Sequence, residues 1–248
     1  MSAALDIAAQ GYPVHLVEKE AELGGFARNF CFKQDGTEVK DFLAETIKKV
    51  EDCKLITVHK GATVKDIPGY VGNFKLQLTD GGEYPVGAVL FAVGASMYQP
   101  TEYGFGNNDN VMTQSVAEKM FEEGKLAKKD VVFMQCVGSR NDKVSYCSRV
   151  CCAQSCRIAI KIKLADPTAN VTIIHKDIRT YAFREELYLK ACQVGVKFLR
   201  SCETKPPEVS GNVVKVYDTT LGETLEVPYD ALVLAAGIAP DRENKENL

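Results

Sequence analysis

Residues 131–156 read VVFMQCVGSRNDKVSYCSRVCCAQSC, and this run decides the fold and points to the chemistry. Val131 to Gln135 is a short, mostly apolar segment of the kind that forms a buried parallel strand, and a helix from about Ser148 to Ala165 follows it. In a nucleotide-binding unit the turn between such a strand and helix carries G-x-G-x-x-G, so that backbone N–H groups can seat a pyrophosphate. Here the turn is Cys136-Val137-Gly138-Ser139-Arg140, with one glycine. Five of the chain's nine cysteines (Cys136, Cys147, Cys151, Cys152, Cys156) occupy the vacated place in the pattern C-x10-C-x3-C-C-x3-C. The next strand, Val171 to His175, ends without the acid that would bind a ribose, so this half is not expected to hold NAD(P)H.

Working outward, the same strand and helix order recurs on both sides. Ser2 to Ala9 is Ala-rich with helical spacing, and Pro13 to Glu18 reads as a buried strand. The glycine-rich turn and strand that would open a Rossmann unit are missing ahead of them, so the chain is expected to start inside a domain. Asp41 to Val50 reads as a helix, Leu55 to His59 as a strand, and Tyr70 to Thr79 with Tyr84 to Phe91 as strands around Asp80-Gly81-Gly82. Met112 to Glu123 reads as an amphipathic helix, and Lys125 to Asp130 as a solvated connector. Beyond residue 175 come a helix over Glu185 to Val194, a strand over Val196 to Arg200, a hairpin of Val213 to Asp218 with Thr224 to Val227, and an apolar strand from Ala231 to Ala235. The tail from Asp241 is polar and expected to fray. The paired endings VLFAVGA (Val89 to Ala95) and LVLAAGI (Leu232 to Ile238) suggest two related α/β units, divided as 1–124 and 125–248.

Composition removes other classes. A net charge of −3 gives no basic excess for nucleic acid or an anionic membrane. No apolar stretch reaches membrane-spanning length and no signal peptide opens the chain, so it reads as soluble and cytoplasmic. In that compartment crowded cysteines serve metals more readily than disulfides, and a helix N-terminus favours thiolates. Iron–sulfur ligation, zinc and unligated buried cysteines all remain open, although adjacent Cys151-Cys152 suits a tetrahedral zinc site poorly. A thioredoxin-like dithiol lacks its C-x-x-C. In the first unit Glu18 ends its strand where an acid meets a ribose, Gly24-Gly25 follow, and Ala92-Val93-Gly94 offers a second close-approach turn. His15, His59 and His175 are not placed as catalytic bases.

The run of residues 131–163, with HKDIRTYAFREELYLKA (175–191), KFLRSCETKPPEV (197–209), VEKEAELGGFARNF (17–30), GYVGNFKLQL (69–78) and LITVHKGATVKDI (55–67), resembles the A-type component of heterodisulfide reductase and its bacterial homologues. Quinone-interacting oxidoreductase subunits are among those homologues. The resemblance covers nearly the whole chain. It implies a thioredoxin-reductase-like module that binds FAD beside a [4Fe–4S] cluster, with Cys136, Cys147, Cys151 and Cys152 as ligands and Cys156 spare. The cofactor-binding set it implies is Glu18, Lys19, Gly24, Gly25, Ala62, Ala92, Val93, Gly94, Arg157 and Gly237, with Arg157 standing where the family commonly has a lysine near the flavin.

The implied activity is electron transfer between FAD and the cluster within a larger complex, including flavin-based bifurcation. The implied partners are other heterodisulfide-reductase-type or quinone-linked subunits, ferredoxin, and hydrogenase- or formate-dehydrogenase-type donors. Ferredoxin-like C-x2-C-x2-C-x3-C clusters are absent, and GNFKLQLTDGGEYPV runs on without the ferredoxin insertion of some members, so the chain is expected to be truncated. The alternative class is a pyridine-nucleotide-dependent flavin disulfide reductase. A third is an adaptor that keeps the fold without the flavin.

Overall fold

The computed structural model describes residues 1–33, 37–126 and 128–240. The described residues form two compact units, Met1–Ala95 with Pro240, and Ser96–Ala239. The polar tail from Asp241 lies outside the described residues, as does Ala127 of the connector.

In the first unit α1 (Ser2–Ala9), β1 (Val14–Glu18), α2 (Val39–Asp52) and β2 (Ile56–Lys60) form a βαβ-like core, with β1 and β2 parallel in the register Val14↔Ile56 to Glu18↔Lys60. Helix α2 exists because Val39, Leu43, Ile47 and Val50 recur on one face and pack inward, while Asp41 and Lys49 sit at the ends that suit their charges. Ala4, Ala8, Leu23, Val50 and Ile56 make its core. Four short strands follow: β3 (Val64–Asp66), β4 (Gly69–Tyr70), β5 (Asn73–Leu78) and β6 (Glu83–Val86). They form an antiparallel sheet over Ala62, Leu76 and Leu78.

The second unit contains β7 (Ser96–Met97), β8 (Val111–Thr113), α3 (Gln114–Glu122), β9 (Asp130–Val137), α4 (Cys151–Ala165), β10 (Asn170–His175), α5 (Glu185–Gln193) and β11 (Lys197–Arg200). These are completed by β12 (Glu208–Ser210), β13 (Val213–Asp218), β14 (Glu223–Pro228), β15 (Ala231–Ala236) and β16 (Ile238–Ala239). Its centre is a five-stranded parallel sheet in the order β11-β10-β9-β15-β8. Both faces are covered, which is why these strands are continuously apolar. Val131, Phe133 and Val233 point into the core shared with Ile158, Ala159 and Ile162 of α4. Their neighbours Val132, Met134, Leu232 and Leu234 point the other way, onto Val214 and Val216 of the antiparallel sheet β12-β13-β14. The alternation is the period-2 geometry of a strand.

Three expectations change. Residues 112–113 belong to β8, not to a helix, because Val111 and Met112 pair with Leu232 and Val233 at the sheet edge. That pairing places β8 and α3 in the compact unit Ser96–Ala239. Helix α4 starts at Cys151, not Ser148, because the Ser148 hydroxyl accepts the Ile238 N–H at 2.8 Å instead of capping the helix. The strand expected over Tyr84 to Phe91 ends at Val86. Residues 89–95 have no ladder partner among the described residues, and Leu90, Phe91 and Val93 are exposed.

Candidate functional site

In the second sheet the chain winds from β9 outward through β10 to β11, whereas β15 and β8 lie on the other side of β9. Strand order therefore reverses between β9 and β15, and the crevice beyond their carboxyl ends is where open α/β sheets place ligands. Cys136 stands there at the end of β9, Ala236 and Gly237 at the end of β15, and Cys151 at the first turn of α4.

The local backbone is shaped for this. Register slips between β9 and β15, since Leu234 pairs with Met134 but Ala236 with Val137, which leaves one extra residue on β9. At this bulge Cys136 takes a left-handed conformation, φ 62°. A bulge re-aims a side chain that a regular strand would point into a core. The loop beyond closes on itself: Asn141 Oδ1 accepts the N–H groups of Lys143 and Val144, and the Arg140 N–H meets Tyr146 O. The Tyr146 hydroxyl then donates to Ile238 O at 3.1 Å, which brings Cys147 back to the strand ends. Gly237 completes the crevice, because a Cβ there would stand 3.0 Å from Ser139 Cβ and 3.3 Å from Ser148 Oγ.

Cys136, Cys147, Cys151 and Cys152 are electrostatic neighbours. Burial raises the Cys136 thiol, and it pushes Cys151 up to about 12 and Cys152 up to about 11, with the other cysteines of the group adding to the rise. Cys156 is also pushed by burial, to about 12, but the charges it feels are Cys152, Cys192 and Glu185. It packs in the core cluster that holds Phe133 and Ile158. Cys151 Sγ contacts Ala236 O at 3.6 Å, and the Arg149 N–H donates to Cys147 Sγ at 3.4 Å.

Cations surround the thiols. Arg140 Nη1 lies 3.8 Å from Cys136 Sγ, and the same guanidinium grips both oxygens of Asp177. Arg179 binds Asp177 as well, at 3.2 Å, and Lys176 Nζ donates to Arg140 O at 2.6 Å. Burial would raise the Asp177 carboxyl, yet the hydrogen bonds from Arg140 and Arg179 prevail and hold it below the usual range. Beneath the crevice Gln114 Nε2 donates to Cys151 O at 2.9 Å and to Ser155 Oγ, which also accepts from Gln135, so a buried polar layer ties α3, β9 and α4 together. Sequence reasoning missed this layer and the Arg140–Asp177 pair, since their members are distant in sequence. Among the described residues no three His, Cys, Asp or Glu side chains already converge on a metal position. The donor chemistry fits a thiolate-ligated cluster nonetheless, because four sulfurs share one crevice, at a helix N-terminus, amid cations that offset the cluster's negative charge.

The residues expected on the flavin side are spread more widely. Glu18 ends β1, and its carbonyl accepts the Ala62 N–H at 3.2 Å, which joins two members of the set. The Glu18 carboxylate accepts the Glu20 N–H at 3.1 Å, and Lys19 is exposed beside it. Gly24 and Gly25 both have positive φ, 121° and 47°, and a Cβ on Gly25 would meet open space. Ala92, Val93 and Gly94 lie on the exposed stretch after β6. In the second unit Gly237 belongs to the cysteine crevice. Arg157 is buried in α4, with Nη2 3.6 Å from Glu118 Oε1 of α3.

No family model matches the chain. Among solved structures it superposes on Thermoplasma acidophilum thioredoxin reductase with a TM-score of 0.59 at 17% identity, covering 97% of this chain and 74% of that one. On Lactococcus lactis thioredoxin reductase the TM-score is 0.62 at 16% identity, covering 99% and 76%. The fold is therefore thioredoxin-reductase-like, an α/β architecture of Rossmann-type units. Among curated relatives, the iron–sulfur A component of the CoB–CoM heterodisulfide reductase of Methanocaldococcus jannaschii is 28% identical over 348 aligned positions, which take in 98% of this chain and 53% of that protein. The A component of the H2/formate:CoB–CoM heterodisulfide, ferredoxin reductase of Methanococcus maripaludis is 38% identical over 184 positions, 65% of this chain and 28% of its own length. The chain is a homologue of these heterodisulfide reductase A components, and it spans about half the length of the relatives it matches end to end.

Proposed function

We infer that the chain is an electron-transferring oxidoreductase module of the heterodisulfide reductase A type, in which Cys136, Cys147, Cys151 and Cys152 hold a [4Fe–4S] cluster and the first unit contributes to an FAD site. The observation that carries this reading is the gathering of Cys136, Cys147, Cys151 and Cys152 at the strand-order reversal, with Cys156 packed in the core. A bound flavin exchanges electrons in pairs or singly, and an iron–sulfur cluster passes them singly. The chain's own part is to bind and orient. Glu18, with Lys19, Gly24, Gly25 and Ala62, supports the nucleotide end of FAD; Ala92, Val93 and Gly94 supply a close backbone approach. Arg140 and Arg179 offset the charge on the sulfurs. Gln114, Gln135 and Ser155 hold α4 at the depth its ligands require.

A nicotinamide site in the second unit is disfavoured by Tyr98. Gly138, the single glycine of the β9–α4 turn, lies under the Tyr98 ring so closely that a Cβ would collide with it. On this reading the ring crowds the turn where a pyrophosphate would sit. The same reading places the module in the cytoplasm within a complex of heterodisulfide-reductase-type or quinone-linked subunits, supplied by ferredoxin or by hydrogenase- or formate-dehydrogenase-type donors, with bifurcation at the flavin. Its support is the likeness to the relatives named above, together with the finding that no described helix is long and apolar enough to cross a membrane.

Anaerobic reconstitution with iron and sulfide tests the reading. About four iron atoms per chain are expected, falling sharply in Cys136→Ser, Cys147→Ser, Cys151→Ser and Cys152→Ser and unchanged in Cys156→Ser. Stoichiometric zinc in place of iron, or equal iron loss from Cys156→Ser, would refute it.

A further inference from the structure

The segment 146–149 and the loop 179–184 of the second unit, joined by Arg184 at Arg149 O, expose aromatic and cationic side chains. Phe183 is 93% exposed, Tyr181 49% and Tyr146 45%, which is unusual for rings in one patch. The Arg184 guanidinium lies over the Tyr181 ring, 5.6 Å from its centroid, and Nη1 donates to Arg149 O at 3.2 Å. Arg149 in turn donates its N–H to Cys147 Sγ. The loop that carries Phe183 is strained, since Ala182 has φ +56°, a left-handed conformation unfavourable for a residue with a Cβ. Strain of this kind clusters at functional sites.

The charge on this face departs from that of the chain. Although the net charge is −3, Arg149 and Arg184 pair with no carboxylate among the described residues. Asp177 is already shared by Arg140 and Arg179, and Glu185 accepts the Thr180 hydroxyl at 2.9 Å. Exposed Tyr, Phe and Arg in one patch are the side chains that dominate binding energy at protein interfaces, and cations at the rim select acidic partners.

We propose that the face formed by Tyr146, Arg149, Arg179, Tyr181, Phe183 and Arg184 is the docking surface for an acidic electron-carrier protein that exchanges electrons with the cysteine-held centre. The proposal rests on the cluster reading above. One electron passes per encounter: the reduced carrier loses it, the centre in this chain gains it, and no bond forms or breaks.

Docking is measured without turnover. The full chain is immobilised and titrated with an oxidised, acidic two-cluster ferredoxin at low and high salt, with basic cytochrome c as the charge control. Binding is expected to weaken steeply with salt, and by about ten-fold or more in Arg149→Glu and Arg184→Glu. It is expected to weaken in Phe183→Ala, and to be unchanged in Lys215→Glu on the opposite layer. The proposal is overturned by absent ferredoxin binding, by equal losses in Lys215→Glu, by equal affinity for cytochrome c, or by a patch that serves only self-association of the chain. Iron content of the same variants reports separately on the cluster, so a failed docking surface is told apart from a failed cluster assignment.

Discussion

Replacing Arg157 with methionine separates a structural role from a flavin-facing one. Arg157 and Glu118 are 10% and 2% exposed at their side chains, and their charges are 3.6 Å apart. At an effective dielectric of about 20, two unit charges at that distance attract by about 4 to 5 kcal/mol, which offsets the cost of burying both. Removing the guanidinium alone breaks this pair while Glu118 stays buried, and the expected loss is about 3 to 5 kcal/mol. Glu118→Gln alone should cost less, since a neutral amide is easier to bury. The double variant Glu118→Leu with Arg157→Met should recover most of the loss, because two apolar side chains of similar size replace the pair. Urea denaturation followed by circular dichroism reads these differences directly. Additive single-variant losses, with a coupling below about 0.5 kcal/mol, would refute the pair as the main role of Arg157.

Three further outcomes are expected. Burial, and then Arg200, hold the His175 imidazole below its usual pKa, with Asp177 and Asp218 pulling the other way. The unfolded chain thus binds the proton more readily, so this contribution to stability is full above about pH 6.5 and is lost as pH falls below it. His175→Gln should flatten urea midpoints between about pH 7.5 and 5.5, and an unchanged slope would count against the assignment. Gly138→Ala forces a Cβ into a left-handed position beneath Tyr98 and should lower stability by at least about 1–2 kcal/mol, partly restored by Tyr98→Ala; a thermal melt in which the second change adds to the damage would contradict this. Asp218 accepts N–H groups from Arg200, Thr220 and Leu221, and these hydrogen bonds carry its pKa below the usual range although burial opposes them. Asp218→Ala should therefore destabilise by about 2–4 kcal/mol, and the wild-type advantage should vanish as pH falls through the depressed Asp218 pKa.

Much of this architecture is legible in the sequence because it rests on local patterns. The strand VVFMQ, the helix expected from Asp41 and the hairpin of β13 and β14 each carry their own periodicity, and the crowded cysteines stand out by spacing alone. What stays hidden depends on partners far away in the chain. Val111 and Met112 become strand only because Leu232 and Val233 lie beside them. Ser148 fails to cap α4 only because Ile238 claims its hydroxyl, and Arg157 turns to Glu118 across two helices. The run over residues 89–95 shows the reverse error, since apolar spacing alone does not supply a ladder partner.

The bulge on β9 limits how this half of the molecule can be re-engineered. Reverting the cysteines to glycines and small residues by substitution would leave one surplus residue on β9 against β15, with Tyr98 still resting on Gly138. Only an excision within Gln135-Cys136, accompanied by a smaller side chain at 98, would straighten the strand and clear a seat for a phosphate. Thiol chemistry and nucleotide chemistry are thus separated here by an indel as well as by point changes.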